Sequence, residues 1–284
     1  MKRIGNLYEK VCSIENLQLA DEKARKGKLR TYGVIEHDKK REVNLLKLRE
    51  TLLNGTFHTS KYDVFTIYEP KEREIYRLPY FPDRILHHAI MNVLEPIWVS
   101  TFTADTYSCI KNRGIHAAAK KVKQALREDP EGTTFCLKLD IRKFYPSINH
   151  DVLKSILRRK LKDKRLLRLL DEIIDSADGV PIGNYLSQYF ANLYLTYFDH
   201  WIKEQKRVKH YFRYADDIVI LASDKSYLHS LMGEIRAYLG DLKLEVKGNW
   251  QVFPVAARGI DFVGYVFFHT HTRMRKGIKK TFFR

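Results

Sequence analysis

Cysteine is scarce in this sequence: Cys12, Cys109 and Cys136 are three isolated thiols in 284 residues. That number excludes a disulfide framework, and their scatter excludes a Cys-x-x-Cys metal site, so a reducing cytoplasm is the expected compartment. Long apolar runs are missing too. No stretch approaches the ~18 consecutive apolar residues of a membrane span, and the N-terminal Met1-Lys2-Arg3-Ile4-Gly5 lacks the apolar segment of a signal peptide. Acidic charge is in short supply, with 34 Asp and Glu against 51 Lys and Arg, which leaves a net charge of +17. A polyanion such as nucleic acid is the expected partner, the plainer alternative being a basic protein that its charge keeps soluble. Disorder is excluded by what is plentiful: 44% hydrophobic residues, with 17 Tyr and 15 Phe to anchor a core.

Residues 1–50 interleave apolar positions (Leu7, Val11, Ile14, Leu17) with dense charge such as 21–26, as basic surface helices do, with a break between Gly27 and Gly33. Period-two alternation over 62–68 and 74–78 predicts two strands joined by a turn at 69–72. Ile85, Leu86, Ala89, Ile90, Val93, Leu94 and Ile97 keep helical spacing after Pro82-Asp83, an expected N-cap, and predict a buried helix. His87 and His88 on it read as packing or solvent-facing groups.

The central third carries the chemistry. A β-forming run from Thr133 to Leu139 ends at Asp140, and Ile141-Arg142-Lys143-Phe144-Tyr145-Pro146 breaks it. Farther on, Lys209–Tyr214 and Ile218–Ala222 flank Ala215-Asp216-Asp217, the pattern of a tight hairpin with two carboxylates in its turn. An isolated Asp-Asp is ordinarily a polar turn. Combined with a third strand-end acid, crowded like charges call for a cation, and hard oxygen donors suit Mg²⁺. Such a set serves two-metal phosphoryl or nucleotidyl transfer.

Those residues resemble the reverse transcriptases. Tyr214-Ala215-Asp216-Asp217 resembles the family's signature box, and Asp140 through Ile148 the preceding box of its bacterial members. Residues 73–84 and 107–116 resemble finger segments, Val180 through Gln188 the box that cradles the templating pair, and Gly259 through Tyr265 the primer grip. The order is right over roughly 60–270. Where most members resemble Pro-Gln-Gly followed by Ser-Pro, this chain has Pro181-Ile182-Gly183 and Ser187-Gln188, which is similar to the enzymes of diversity-generating retroelements.

The resemblance implies an α+β right-hand polymerase with fingers and an antiparallel palm sheet backed by helices, its thumb missing or truncated at Arg284. The implied partition is fingers over 1–115, palm over 116–270 and the start of a thumb over 271–284. It implies Asp140, Asp216 and Asp217, with the Ile141 carbonyl, as ligands of two Mg²⁺ ions for which Mn²⁺ substitutes. Lys247 would protonate the leaving pyrophosphate, with a plain surface lysine as the alternative. Nucleotide-binding residues would be Lys71, Arg73, Phe144, Tyr145, Ile182 and Gly183. Tyr145 acts as sugar gate unless it is an ordinary core aromatic, and Gly183 allows close backbone approach. Lys111, Arg113, Ser187, Gln188, Tyr214, Phe262 and Gly264 would contact template or primer. His269 and His271 lack the further ligands of a metal site.

The implied activity is an error-prone RNA-directed DNA polymerase, bacterial or phage-encoded, that makes mutagenised cDNA. Its partners would be template RNA, an RNA–DNA duplex, dNTPs and a small basic, oligomeric accessory protein, with no membrane. A retron, group II intron-like or phage-defence enzyme is the first alternative, and a non-catalytic nucleic-acid-binding relative the second.

Overall fold

The computed structural model describes residues 3–68 and 72–282, with the side chains of 281 and 282 excepted. Two units, each discontinuous in sequence, divide the chain: 1–101 with 148–194, and 102–147 with 195–284. They are a different division from the linear one at 115 and 270.

In the first unit the apolar positions of the basic N-terminal segment do what their spacing requires. Leu17, Leu45, Leu48 and Leu52 are buried on the helices Ile14–Ala24 and Arg41–Asn54, and the break falls at 25–31. Asp21 departs from the expectation of a solvated charge run. It is fully buried, because Arg25, Arg41 and the Tyr80 hydroxyl all donate to it. The predicted buried helix is Ile85–Val99, but Asp83 does not cap it; its carboxylate accepts from the Ser60 N–H at 3.0 Å. Strands β1 (Asp63–Ile67) and β2 (Arg73–Arg77) form the predicted antiparallel pair.

The second unit is built on a four-stranded antiparallel sheet, in the order β4 (His210–Tyr214), β5 (Asp217–Ala222), β3 (Phe135–Asp140), β6 (Gln251–Pro254). Alternation sorts its side chains between two faces. Cys136, Val219 and Leu221 join a core with Ala118, Val122 and Leu126 of the helix Ile115–Glu128 and with Ile260, Phe262 and Phe267. The helix Lys225–Asp241 packs against β3, β5 and β6. A second sheet holds β7 (Ile260–Phe262), β8 (Tyr265–Phe267) and β9 (Thr272–Met274), so it extends past residue 270. Helices with antiparallel sheets of this kind are the α+β palm-and-fingers architecture. No helix among the described residues is long and apolar enough to cross a membrane.

Candidate active site

Three chain segments of the second unit meet at one end of its main sheet. Antiparallel register sets Asp140, the last residue of β3, opposite Asp217, the first of β5. Tyr214 also pairs with Asp217, which leaves Ala215 and Asp216 as a two-residue turn. Ala215 takes a φ of 54° at the first turn position, where glycine is usual. The Ile141 N–H donates to the Asp216 carbonyl at 3.3 Å. The third segment closes the group: the Lys247 N–H donates to the Asp140 carbonyl at 2.9 Å, and Ile141 bridges Val246.

Two ammonium groups serve these acids. Lys247 Nζ lies 2.7 Å from Asp140 Oδ1, and Lys138 Nζ lies 2.8 Å from Asp217 Oδ1 while also donating to the Asp261 carbonyl at 2.5 Å. Asp216 fares differently. Burial, and then the charge of Asp140, push its carboxyl up from 3.8 to about 6. Burial also raises Asp217, with Lys138 pulling the other way. Among the described residues no three His, Cys, Asp or Glu side chains converge as a finished metal-holding group. The donor set still fits a hard divalent cation: carboxylates crowd together, and a cation between them would offset the burial and the repulsion that raise Asp216.

Behind the turn lies an ion pair with no exposure. Arg213 donates to Asp199 through Nε at 2.7 Å and Nη2 at 2.6 Å, and its Nη1 donates to the Ala215 carbonyl at 3.1 Å. The Tyr211 and Thr106 hydroxyls complete the Asp199 carboxylate at 2.6 and 2.9 Å. The guanidinium thus ties a satisfied buried acid to the backbone that presents Asp216.

Of the other expected residues in this unit, Tyr145 is half-buried on the short helix Phe144–Ser147, edge-on to the buried Phe144 at 5.7 Å. Its phenol is raised by burial and then by Cys109 and Asp216, which sets it beside the turn. Tyr214 is half-buried at the end of β4, and Lys111 is exposed. Arg113 is engaged within the protein, donating to the Thr103 and Thr106 carbonyls at 2.6 and 3.1 Å. Phe262, expected at the primer, is fully buried in the core, since the odd positions of such a short strand face away from it; the Lys138 ammonium sits 5.8 Å from its ring. Gly264 has a φ of 89° in the tight β7–β8 turn.

In the first unit Arg73 is exposed at the start of β2, Ser187 is buried, Gln188 is exposed, and Lys71 lies outside the described residues. The Ile182 carbonyl accepts from the Tyr76 N–H at 2.8 Å. Gly183, at φ 120°, is required for a reason the sequence did not reveal: a Cβ there would stand 2.8 Å from the Tyr76 carbonyl oxygen.

The family model described as reverse transcriptase (RNA-dependent DNA polymerase) matches residues 69–267, well over half of the chain. The chain belongs to the reverse transcriptase family. This reverse transcriptase is similar to Protein YkfC of Escherichia coli (strain K12), at 26% identity, with 78% of this chain and 71% of that protein covered. It is also similar to the group II intron-encoded protein LtrA of Lactococcus lactis subsp. cremoris, at 23% identity, with 62% of this chain covered but only 31% of that protein. Among solved structures, apo telomerase from Candida tropicalis shares the fold, with a TM-score of 0.55 at 12% identity over 76% of this chain and 49% of that one.

Sequence reasoning on this reverse transcriptase missed Lys138, Asp199 and the engagement of Arg213. For Lys138 a signal existed: it stands two residues before Asp140 and therefore on the same face of β3. For Asp199 there was none, since its partners lie across a connection whose geometry no local pattern encodes.

Proposed function

We propose that the chain is an RNA-directed DNA polymerase whose nucleotidyl transfer is centred on Asp140, Asp216 and Asp217. The observation that carries this reading is the like-charge crowding of Asp216 with Asp140 at a strained turn, in a chain of this family. Mg²⁺, or Mn²⁺ in its place, bound by these carboxylates with the Ile141 carbonyl, supplies activation of the attacking hydroxyl and stabilisation of the triphosphate charge. The protein's own groups do the rest. Lys247, a charged donor fixed at Asp140, is suited to give a proton to departing pyrophosphate. The Tyr145 ring, backed by Phe144, takes up the volume a 2′-hydroxyl would need. Arg73 and Lys71 offer guanidinium and ammonium to the triphosphate of dNTPs.

The finer reading is an error-prone enzyme of a diversity-generating retroelement, acting on a template RNA with a small basic accessory protein. It is supported by Ile182 and Gln188, where most relatives resemble Gln and Pro. An aliphatic side chain polices a base pair by contact alone, and misfits against apolar contacts cost only ~1–3 kcal/mol. A second reading, an intron-type reverse transcriptase, is favoured by the similarity to LtrA.

Extension of a primed RNA template with dNTPs and Mg²⁺ tests the activity, and absence of any product would sink it. Sequenced cDNA separates the finer readings. Under the retroelement reading errors concentrate at template adenines and Ile182→Gln lowers them; errors indifferent to the template base would leave the intron-type reading standing, and equal spectra for parent and variant would mean that Ile182 does not set fidelity.

A further inference from the structure

The helix Ile115–Glu128 buries Ala118, Ala119, Val122, Ala125 and Leu126 and turns the rest of its surface outward. On that outer surface His116, Lys120, Lys123 and Arg127 recur at spacings of four, three and four, which aligns them in one row. At about 1.5 Å per residue the row runs about 16 Å. Lys120 and Lys123 are exposed, and neither is paired with a carboxylate among the described residues. The helix's one acid, Glu128, is engaged by Gln124 at 3.1 Å and Arg127 at 3.3 Å.

This row is one wall of a groove of about 1080 Å³. The other wall is the connection from β8 to β9. There the Phe268 and His271 rings stack with centroids 4.6 Å apart and planes within 10°, and the Arg273 guanidinium lies 5.0 Å from the Phe268 centroid. Thr133 Oγ1, on a fully buried residue, holds His269 Nε2 at 3.0 Å and so anchors the connection. No lining residue is acidic, and none is among the residues assigned to catalysis.

We infer that this groove binds single-stranded RNA, the row of cations tracking phosphates while a base stacks on the exposed His271 ring, which Phe268 backs. The four-residue row is long enough to meet several successive phosphates of one strand. Cationic grooves with stacking platforms are how unpaired strands are held without sequence preference. An acidic protein would use the cations but leave the stacked, guanidinium-covered rings without a role. The choice of RNA over DNA rests on the polymerase reading, under which the unpaired strand is template.

The test uses the full chain and poly(U) followed by anisotropy across a salt series. Replacing Lys120, Lys123 and Arg127 together by Gln should weaken binding about tenfold and flatten the log–log salt slope by about 2, near 0.7 for each single-strand phosphate released. Phe268→Ala should weaken it about fivefold or more, as loss of one stacked base does. A variant of equal net charge, with Gln at Lys10, Lys47 and Arg49, should bind like the parent. An equal loss in that control, tighter groove-dependent binding of poly(dT) than of poly(U), or displacement by polyglutamate with no dependence on Phe268 would each overturn the proposal. Primer extension is scored apart from binding: a parent that binds poly(U) through the groove but extends no primer upholds the groove and sinks the polymerase reading.

Discussion

Asp199 and Asp216 both serve the β4–β5 hairpin, and their surroundings are opposite. Asp199 is fully buried but receives a bidentate guanidinium and two hydroxyls, so its charge is matched and its lone pairs are used. Asp216 is partly open, faces another carboxylate and is pushed up to about 6. One acid holds the structure together, while the other is short of partners, which on the proposed reading a cation would supply. The strained Ala215 between Arg213 and Asp216 is sustained because the rigid side over-determines it.

The largest test of this contrast is Asp216→Asn. Mg²⁺-dependent incorporation on a primed RNA template should fall by orders of magnitude while template affinity and the unfolding midpoint stay level or rise, since an amide removes both a cation ligand and a repulsion. Appreciable residual synthesis would end the assignment. Asp199→Asn should do the reverse in kind, destabilising the fold by about 3–5 kcal/mol, because Arg213 is left buried without its counter-charge; denaturant unfolding reads this directly. A loss under about 1 kcal/mol would make the pair no more than a surface-grade contact.

A smaller effect sharpens the comparison through pH. The folded-state value of Asp216 lies above its ordinary 3.8, so the folded protein binds the proton more tightly than the unfolded chain does. The associated stability is fully present below pH 3.8 and is lost as pH rises through about 6. The midpoint gap by which Asp216→Asn exceeds the parent at pH 7 should therefore shrink by pH 5. A gap independent of pH would mean that neither burial nor Asp140 raises Asp216.

Much of this was legible beforehand, for identifiable reasons. The helix Ile85–Val99 declares itself by period, since burial on one face imposes spacing on the residues themselves, whereas β1 and β2 show by alternation and β3 to β5 by runs of β-forming residues. The hairpin acids were legible because two strand-like runs meet with no residues to spare. What stayed hidden depends on pairing at a distance. Asp21 looked like surface charge until Arg41 and Tyr80 were brought to it, and Phe262 looked available until its strand was oriented. Gly183 was expected to make room for a nucleotide, and the atom that a Cβ there would meet belongs to Tyr76.

That last contact bears on how such a chain can diverge. The β1–β2 hairpin is fastened to residue 182 by a main-chain hydrogen bond from the Tyr76 N–H to the Ile182 carbonyl, while the neighbouring position has no room for a side chain. That hydrogen bond does not depend on which side chain stands at 182, whereas any side chain at 183 must displace the Tyr76 carbonyl. On the proposed reading selectivity at 182 and anchorage at 183 therefore rest on different atoms of adjacent residues, so that one can change while the other stands still.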